Sequence, residues 1–283
     1  MAASGASACV ALLGCGLAAP YGRYSANKPL AQAYSCGLPH LPARLAWLVQ
    51  ECPSFLVAAY MLHSQGGSEP GIFSSLSSLA TPRGFLAALF LAHYFNRGFV
   101  YPLRISGGKP TPFGICLMAF VFCLWNGWMQ GQYLASLPAQ EGGGQLLAPR
   151  VVCGVLLFVL GMGINLEADD ILRNLRGPGE TGYKIPRGGA FEWVSGANFF
   201  GECLEWLGFA LAAYQAPTGL AHPALLAASA IPGLQLLLNP AVAFALFTCL
   251  NIGPRAIQHH ENYKKMFGTK YPSERKAIIP LLL

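Results

Sequence analysis

The residues best suited to chemistry are ionisable and amide side chains set inside apolar runs. Glu51 lies in Gln50-Glu51-Cys52-Pro53. His93 and Tyr94 lie in a second run, Asn126, Gln130 and Gln132 in a third, and Glu202 and Glu205 in a fourth. A carboxyl in hydrocarbon with no cation beside it is costly when ionised, so Glu51 is expected in its protonated form, able to donate a hydrogen bond. For the amides, hydrogen bonding between helices is an equally good reading. Three polar stripes recur at helical spacing: Asn165, Asp169, Arg173 and Arg176; Asn198, Glu202 and Glu205; Arg255, His259 and Tyr263. Together they could enclose one polar, partly cationic cavity. The competing reading is a set of solvated helix ends touching lipid headgroups, but such a patch would be purely basic. The loop Gly177-Pro178-Gly179-Glu180-Thr181-Gly182-Tyr183-Lys184-Ile185-Pro186-Arg187-Gly188-Gly189 supplies flexible backbone N–H groups and cations, a combination suited to phosphate.

These groups need elements to hold them, and composition says which kind. Of 283 residues, 54% are hydrophobic and 11% are charged. Disorder and a soluble globule are both excluded, because 18 basic and 12 acidic side chains cannot solvate a surface of this size. The fold class expected is an all-α integral membrane protein. A helix needs about 20 residues to cross a hydrocarbon core of about 30 Å. Seven spans are read at roughly 4–20, 44–63, 83–103, 112–135, 150–169, 198–216 and 223–252. The first is short, and a cleaved signal peptide is its alternative, although Met1-Ala2-Ala3-Ser4 carries no basic residue. The last is interrupted by Pro232 and Pro240, which suggests a kinked helix or a re-entrant piece.

The basic residues then orient the bundle. Sixteen of the 18 fall on one side, including Arg97 and Lys109, and only Arg83 and Arg150 fall on the other. The positive-inside rule puts the rich side in the cytoplasm, with the N-terminus outside and the C-terminus inside. That arrangement requires an odd number of spans. A single domain over 1–283 is expected, with a cytoplasmic loop at about 170–197 and a C-terminal tail at about 253–283. The net charge of +6 is accounted for by topology, so no nucleic-acid partner is expected.

Several other chemistries find no support. The nine cysteines include no CxxC pair and read as small packing residues. His259 and His260 are adjacent and face different sides of a helix, there is no HExxH, and no metal is expected. Gly161-Met162-Gly163 lacks the third glycine of a dinucleotide fingerprint and lies in an apolar run, so any dinucleotide would bind among helices. No internal repeat points to an inverted-repeat transporter.

The motifs themselves resemble those of the steroid 5α-reductase family, in its steroid-reducing branch. They include Gly161-Met162-Gly163-Ile164-Asn165 through Asp169, Pro178-Gly179-Glu180-Thr181-Gly182-Tyr183-Lys184-Ile185-Pro186, Ser195-Gly196-Ala197-Asn198-Phe199-Phe200-Gly201-Glu202, and the ending Tyr271-Pro272 with Arg275-Lys276-Ala277-Ile278-Ile279-Pro280. Upstream, Leu41-Pro42-Ala43-Arg44, Gln50-Glu51-Cys52-Pro53 and His93-Tyr94-Phe95 extend the likeness, which runs from about Leu41 onward. The resemblance implies an NADPH-dependent reductase of seven helices acting on the Δ4 double bond of 3-oxo-Δ4-steroids. In it, Glu51 and Tyr94 match the pair that holds the steroid 3-keto oxygen. Asn165, Asp169, Arg176, Tyr183, Asn198, Glu202, Arg255, His259 and Tyr263 match cofactor contacts, Arg97 and Lys109 match phosphate contacts, and Lys184 stands where some members have arginine. Met118 stands where a relative can carry an arginine that reaches the far end of the steroid, so it is a candidate substrate contact. The resemblance further implies a monomer in membrane lipid, with steroid entering from the bilayer. The membrane would be the endoplasmic reticulum in a eukaryote and the inner membrane in a bacterium. Alternatives are a related membrane enoyl reductase, acting on very-long-chain enoyl-CoA or polyprenol, and a non-enzymatic lipid or steroid transporter.

Overall fold

A computed structural model describes residues 37–64, 76–105, 107–137, 144–177, 179–180, 182–215 and 234–283. The expected span at 4–20 and the stretch 223–233 lie outside the described residues. Among those described, regular structure is helical. Only two isolated bridges pair extended backbone, Leu41 with Thr111 and Val194 with Lys276. The long helices are α1 (Ala43–Ser64), α2 (Pro82–Phe95), α3 (Phe113–Ala135), α4 (Pro149–Asn174), α5 (Ala197–Ala213) and α6 (Pro240–Phe267). Among the described residues, four segments are long and apolar enough to cross a membrane, as an integral membrane protein requires: Ala43–Ser64, Phe113–Ala135, Pro149–Asn174 and Pro240–Lys270. The described residues divide into two compact units at the Ala148–Pro149 junction.

In the first unit, α1 and α3 meet at backbone contact. A Cβ on Gly127 would lie 2.9 Å from the Ser54 carbonyl oxygen, and one on Gly131 would lie 3.0 Å from the Ala58 Cα. Gly127 and Gly131 are four residues apart, the small-residue spacing that lets two apolar helices approach closely and gain dispersion contact in a setting where water offers no drive. Helix α2 starts at Pro82, whose missing N–H costs nothing there, and Thr81 caps it by accepting from the Gly84 amide. It does not stop at Phe95 but widens into a π-helical turn, Asn96–Val100, before a last α turn, Tyr101–Arg104. Gly98 in that turn packs on α1, where an added Cβ would stand 3.1 Å from the Cys52 Cα.

In the second unit, α4 and α5 interlock in the same way over a longer face. Gly154 and Gly161 of α4 oppose Gly208 and Gly201 of α5. Trp206 anchors an aromatic core with Phe244, Phe209 and Phe158, at 4.6, 5.7 and 6.3 Å between ring centroids. Arg150, one of the two basic residues read on the non-cytoplasmic side, donates from Nη1 to the carbonyls of Leu211 and Tyr214 at the C-terminal end of α5.

The last apolar run is interrupted at Pro240 as expected, a short helix Leu234–Leu237 ending before it. Pro240 does not kink the long helix that follows but opens it. Asn239 caps the helix by accepting from the amides of Ala241 and Val242, while its own side-chain amide donates to the Gln215 carbonyl. Proline at the first helical position has no amide to satisfy and is already set at helical φ. The helix then runs 28 residues to Phe267 through Pro254. That is about 42 Å, longer than a hydrocarbon core of about 30 Å, so one continuous rod carries Arg255, His259 and Tyr263.

Candidate active site

The first unit brings two hydrogen-bonding side chains onto one face of α3. Tyr94, 4% exposed, is met by Asn126, which is fully buried and donates from Nδ2 to the phenol oxygen at 2.8 Å. The Cys123 thiol, one turn back on α3, lies 3.8 Å from Oε2 of Glu51. Positions 123 and 126 are neighbours on one helical face, so Glu51 from α1 and Tyr94 from α2 converge on the same turn. Ser54 ties that turn to α1 by donating to the Cys123 carbonyl at 3.0 Å. Tyr94 is braced by the rings of Phe90 and His93, at 4.8 and 5.0 Å. A phenol and a carboxyl facing a common helix turn can share one acceptor such as a carbonyl oxygen when the carboxyl is protonated.

The other first-unit candidates sit differently. Arg97, on the π turn, lies over both Trp47 and Tyr101, its guanidinium 4.7 and 4.8 Å from the centroids of two rings that meet edge-to-face. Cation–π contact of this kind fixes the charge in place. Lys109 is exposed on the stretch leading to Thr111. Met118 is half exposed on α3, two turns before Asn126.

In the second unit, the stripes on α4 and α5 are drawn together because glycine faces glycine. Asn165, 3% exposed, donates to the carbonyl of Asn198, and Asn198 donates from Nδ2 to Asp169, which is 5% exposed, at 3.3 Å. Glu202 is half-buried one turn along α5, and Glu205, on the same stripe, is fully buried. Arg255 and His259 are half-buried on α6, with the His259 ring edge-on to Phe199 at 5.5 Å. Tyr263 is buried and stacks on Phe267 and Tyr271.

One stripe needs correcting. Helix α4 ends at Asn174, so Arg176 lies past the helical face that carries Asn165 and Asp169. Arg173, which is on the helix, pairs with Asp170 at 2.7 Å instead of with the stripe. Arg176 turns onto its own loop and approaches the Gly182 carbonyl at 3.5 Å. Tyr183 and Lys184 are exposed on that loop, and Lys184 pairs with Glu180. This contact, with the Gly177 amide, holds the Glu180 carboxyl below the usual range.

A node that sequence reasoning passed over holds the loop to the C-terminal segment. Ser195 Oγ lies 2.6 Å from both His260 Nδ1 and Tyr271 Oη and donates to the Lys276 carbonyl. Backbone bonds link Ser195 and Gly196 to Lys276 and Ala277. Arg275 is 1% exposed, donates to the Pro186 carbonyl at 3.1 Å and reaches Glu192 at 3.8 Å. The Gly188 amide, with Arg275 and Arg187 behind it, holds the Glu192 carboxyl below its usual range. The available signal was the run of polar residues in the ending, Tyr271 to Lys276, in an otherwise apolar chain.

The donor set of the second unit suits a nicotinamide dinucleotide. Asp169 and Glu202 are acceptors for ribose hydroxyls or a carboxamide N–H, Asn165 and Asn198 are amides already oriented by their mutual bonds, and Arg255 with the loop cations matches phosphate. Among the described residues, no group of three His, Cys, Asp or Glu is placed to hold a metal ion.

A family model described as 3-oxo-5-alpha-steroid 4-dehydrogenase matches residues 109–222 and 232–283. The chain is 42% identical over 270 residues to 3-oxo-5-alpha-steroid 4-dehydrogenase 2 of Rattus norvegicus, covering 94% of this chain and 89% of that protein. It is 43% identical to the Sus scrofa protein of the same name, over 93% of this chain and 87% of that one. It is 42% identical to 3-oxo-5-alpha-steroid 4-dehydrogenase 1 of Bos taurus, over 93% and 88%.

Proposed function

The chain belongs to the 3-oxo-5-alpha-steroid 4-dehydrogenase family of oxidoreductases acting on CH–CH groups, and from that premise we propose that it reduces the Δ4 double bond of 3-oxo-Δ4-steroids to 5α-dihydrosteroids with NADPH. The observation that carries the reading, beyond membership, is the convergence of Glu51 and Tyr94 on one turn of α3. Addition to C5 of an enone drives negative charge onto the C3 oxygen. Tyr94 and a protonated Glu51 donate to that oxygen and bind it more tightly as the charge develops, which lowers the barrier. The pairing of a phenol with a neutral carboxylic acid is the one that serves ketosteroid isomerase.

NADPH, when bound, would supply the hydride to C5, and C4 takes up a proton to complete the reduction. Asn165, Asp169, Asn198 and Glu202 would hold the cofactor's polar groups, Arg255, His259 and Tyr263 would line the same place, and Arg176, Tyr183 and Lys184 are further candidate cofactor contacts. Arg97 and Lys109 are candidate phosphate contacts. Met118 would contact the far end of the steroid. Residues 1–283 are a single reductase domain in this reading. The enzyme is a monomer of seven spans in membrane lipid, its C-terminus cytoplasmic, and the steroid enters from the bilayer. A eukaryotic host would put it in the endoplasmic reticulum membrane and a bacterial one in the inner membrane.

The test is direct. Purified protein in detergent, given NADPH and a 3-oxo-Δ4-steroid, should form the 5α-dihydro product, and very-long-chain enoyl-CoA and polyprenol should turn over poorly by comparison. Glu51→Gln still donates and should keep more activity than Glu51→Leu, which should lose on the order of 100-fold or more. Equal activity in all three forms removes Glu51 from the mechanism. Failure to bind NADPH removes the whole reading.

A further inference from the structure

Asn126 is buried more completely than a solubility or surface role would allow, and its two polar ends are treated unequally. Nδ2 donates to Tyr94 at 2.8 Å, while Oδ1 is buried without a hydrogen-bond partner. A buried acceptor left unmet is destabilising, and native proteins rarely tolerate one without a reason. Turning the amide over would let Oδ1 accept the phenol proton of Tyr94. The observed orientation gives that up. An amide N–H on the phenol oxygen occupies a lone pair, leaves the phenol proton to a different acceptor and makes the phenol a stronger donor. The backbone that carries the amide is also held firmly. Gly127, the next residue, is locked against the Ser54 backbone, and Ser54 donates to the carbonyl of Cys123 one turn earlier.

We propose that Asn126 is the positioning residue of the reduction. It acts through Tyr94, keeping the phenol proton aimed at the steroid carbonyl instead of at α3. This rests on the steroid-reductase reading above.

The decisive variant is Asn126→Asp, which keeps the shape but replaces the donating amide by a carboxyl. Burial favours the neutral form of the introduced carboxyl, as for Glu51, and while neutral it still donates to Tyr94. Once ionised at higher pH, it draws the Tyr94 proton to itself. With saturating NADPH, kcat relative to the wild type should therefore fall as pH rises toward about 10, on the order of 10- to 100-fold, with KM for the steroid changed much less. Lowering the pH again should restore it, because the carboxyl donates once it is protonated. Glu51 and Cys52 on α1, His93 on α2 and Cys123 on α3 are the titratable neighbours. They are common to both proteins, so the ratio of the two pH profiles isolates position 126. Asn126→Leu, which neither donates nor accepts, should lose activity without any such pH recovery. NADPH affinity should stay within about twofold in both variants. Wild-type kcat for Asn126→Leu, or a loss in Asn126→Asp that pH does not relieve together with a lowered melting temperature, overturns the positioning role. If the wild type itself makes no 5α product, the underlying reading fails and this role fails with it.

Discussion

A side-chain carbon added to Gly161 of α4 would collide with the amide nitrogen of Glu205 on α5, and would lie 2.5 Å from the Gly201 carbonyl oxygen. These are backbone atoms, which cannot rotate away. Gly201 closes the other half of the contact, where a Cβ would stand 2.6 Å from the Asn165 amide. The spacing of the two helices is therefore set by the absence of side chains, and that spacing lets Asn165 reach the Asn198 carbonyl at 2.9 Å.

Gly161→Ala should force the helices apart. The expected cost is about 1–3 kcal/mol, as for other overpacked interiors, together with weaker NADPH binding because Asn165 loses its partner. Gly163→Ala is the control, since nothing lies within 4 Å of a Cβ there. Melting curves and NADPH titrations of the two variants should separate cleanly, and matching curves would refute the role given to the glycine contact.

Arg150→Met should destabilise the second unit without touching the chemistry. The guanidinium donates to Leu211 and Tyr214, carbonyls at the end of α5 that have no helical partner, and its charge faces the negative end of the helix dipole. Loss of about 1 kcal/mol is expected, read as a lowered melting temperature with activity per folded molecule preserved. A drop in kcat at full folding would assign Arg150 a different role.

Glu192 gives a pH prediction. The Gly188 amide, and then Arg275 and Arg187, lower its carboxyl from the ordinary value. Folded affinity for the proton is thus weaker than unfolded affinity. The contribution to stability is complete above the ordinary carboxylate value of about 4.3 and fades as pH falls through the lower folded value. Glu192→Gln keeps an acceptor for Gly188 but loses the charge, so it should melt below the wild type at pH 7, and the gap should close toward about pH 3.5. A gap that widens in acid would reverse the assignment.

Much of this architecture is legible residue by residue. Scarce charge in long apolar runs points to a membrane protein, and the expected spans at 44–63, 112–135 and 150–169 fall on α1, α3 and α4. Helical spacing puts Asn165 with Asp169, and Asn198 with Glu202, on common faces, because a 3.6-residue period depends on nothing beyond the local chain. The same reasoning carries Arg176 too far, since periodicity does not say where a helix ends, and it places a break at Pro240 without showing that Asn239 makes Pro240 the start of the next helix.

Periodicity also names a face without naming what that face meets. Asn126 reads equally well as a bundle hydrogen bond to any neighbour, and only the closeness of α1, α2 and α3 makes Tyr94 its partner. Arg150 reads as a stray charge until the end of α5, more than 60 residues on, lies under it. Ser195, His260 and Tyr271 share one node across 76 residues of chain. The sequence by itself determined which helices form and which faces are polar, because those depend on local backbone geometry and transfer to hydrocarbon. The tertiary structure alone decided which polar atoms meet, because hydrogen bonds need placement to within a fraction of an ångström, and that precision comes from glycine-set contacts between distant segments.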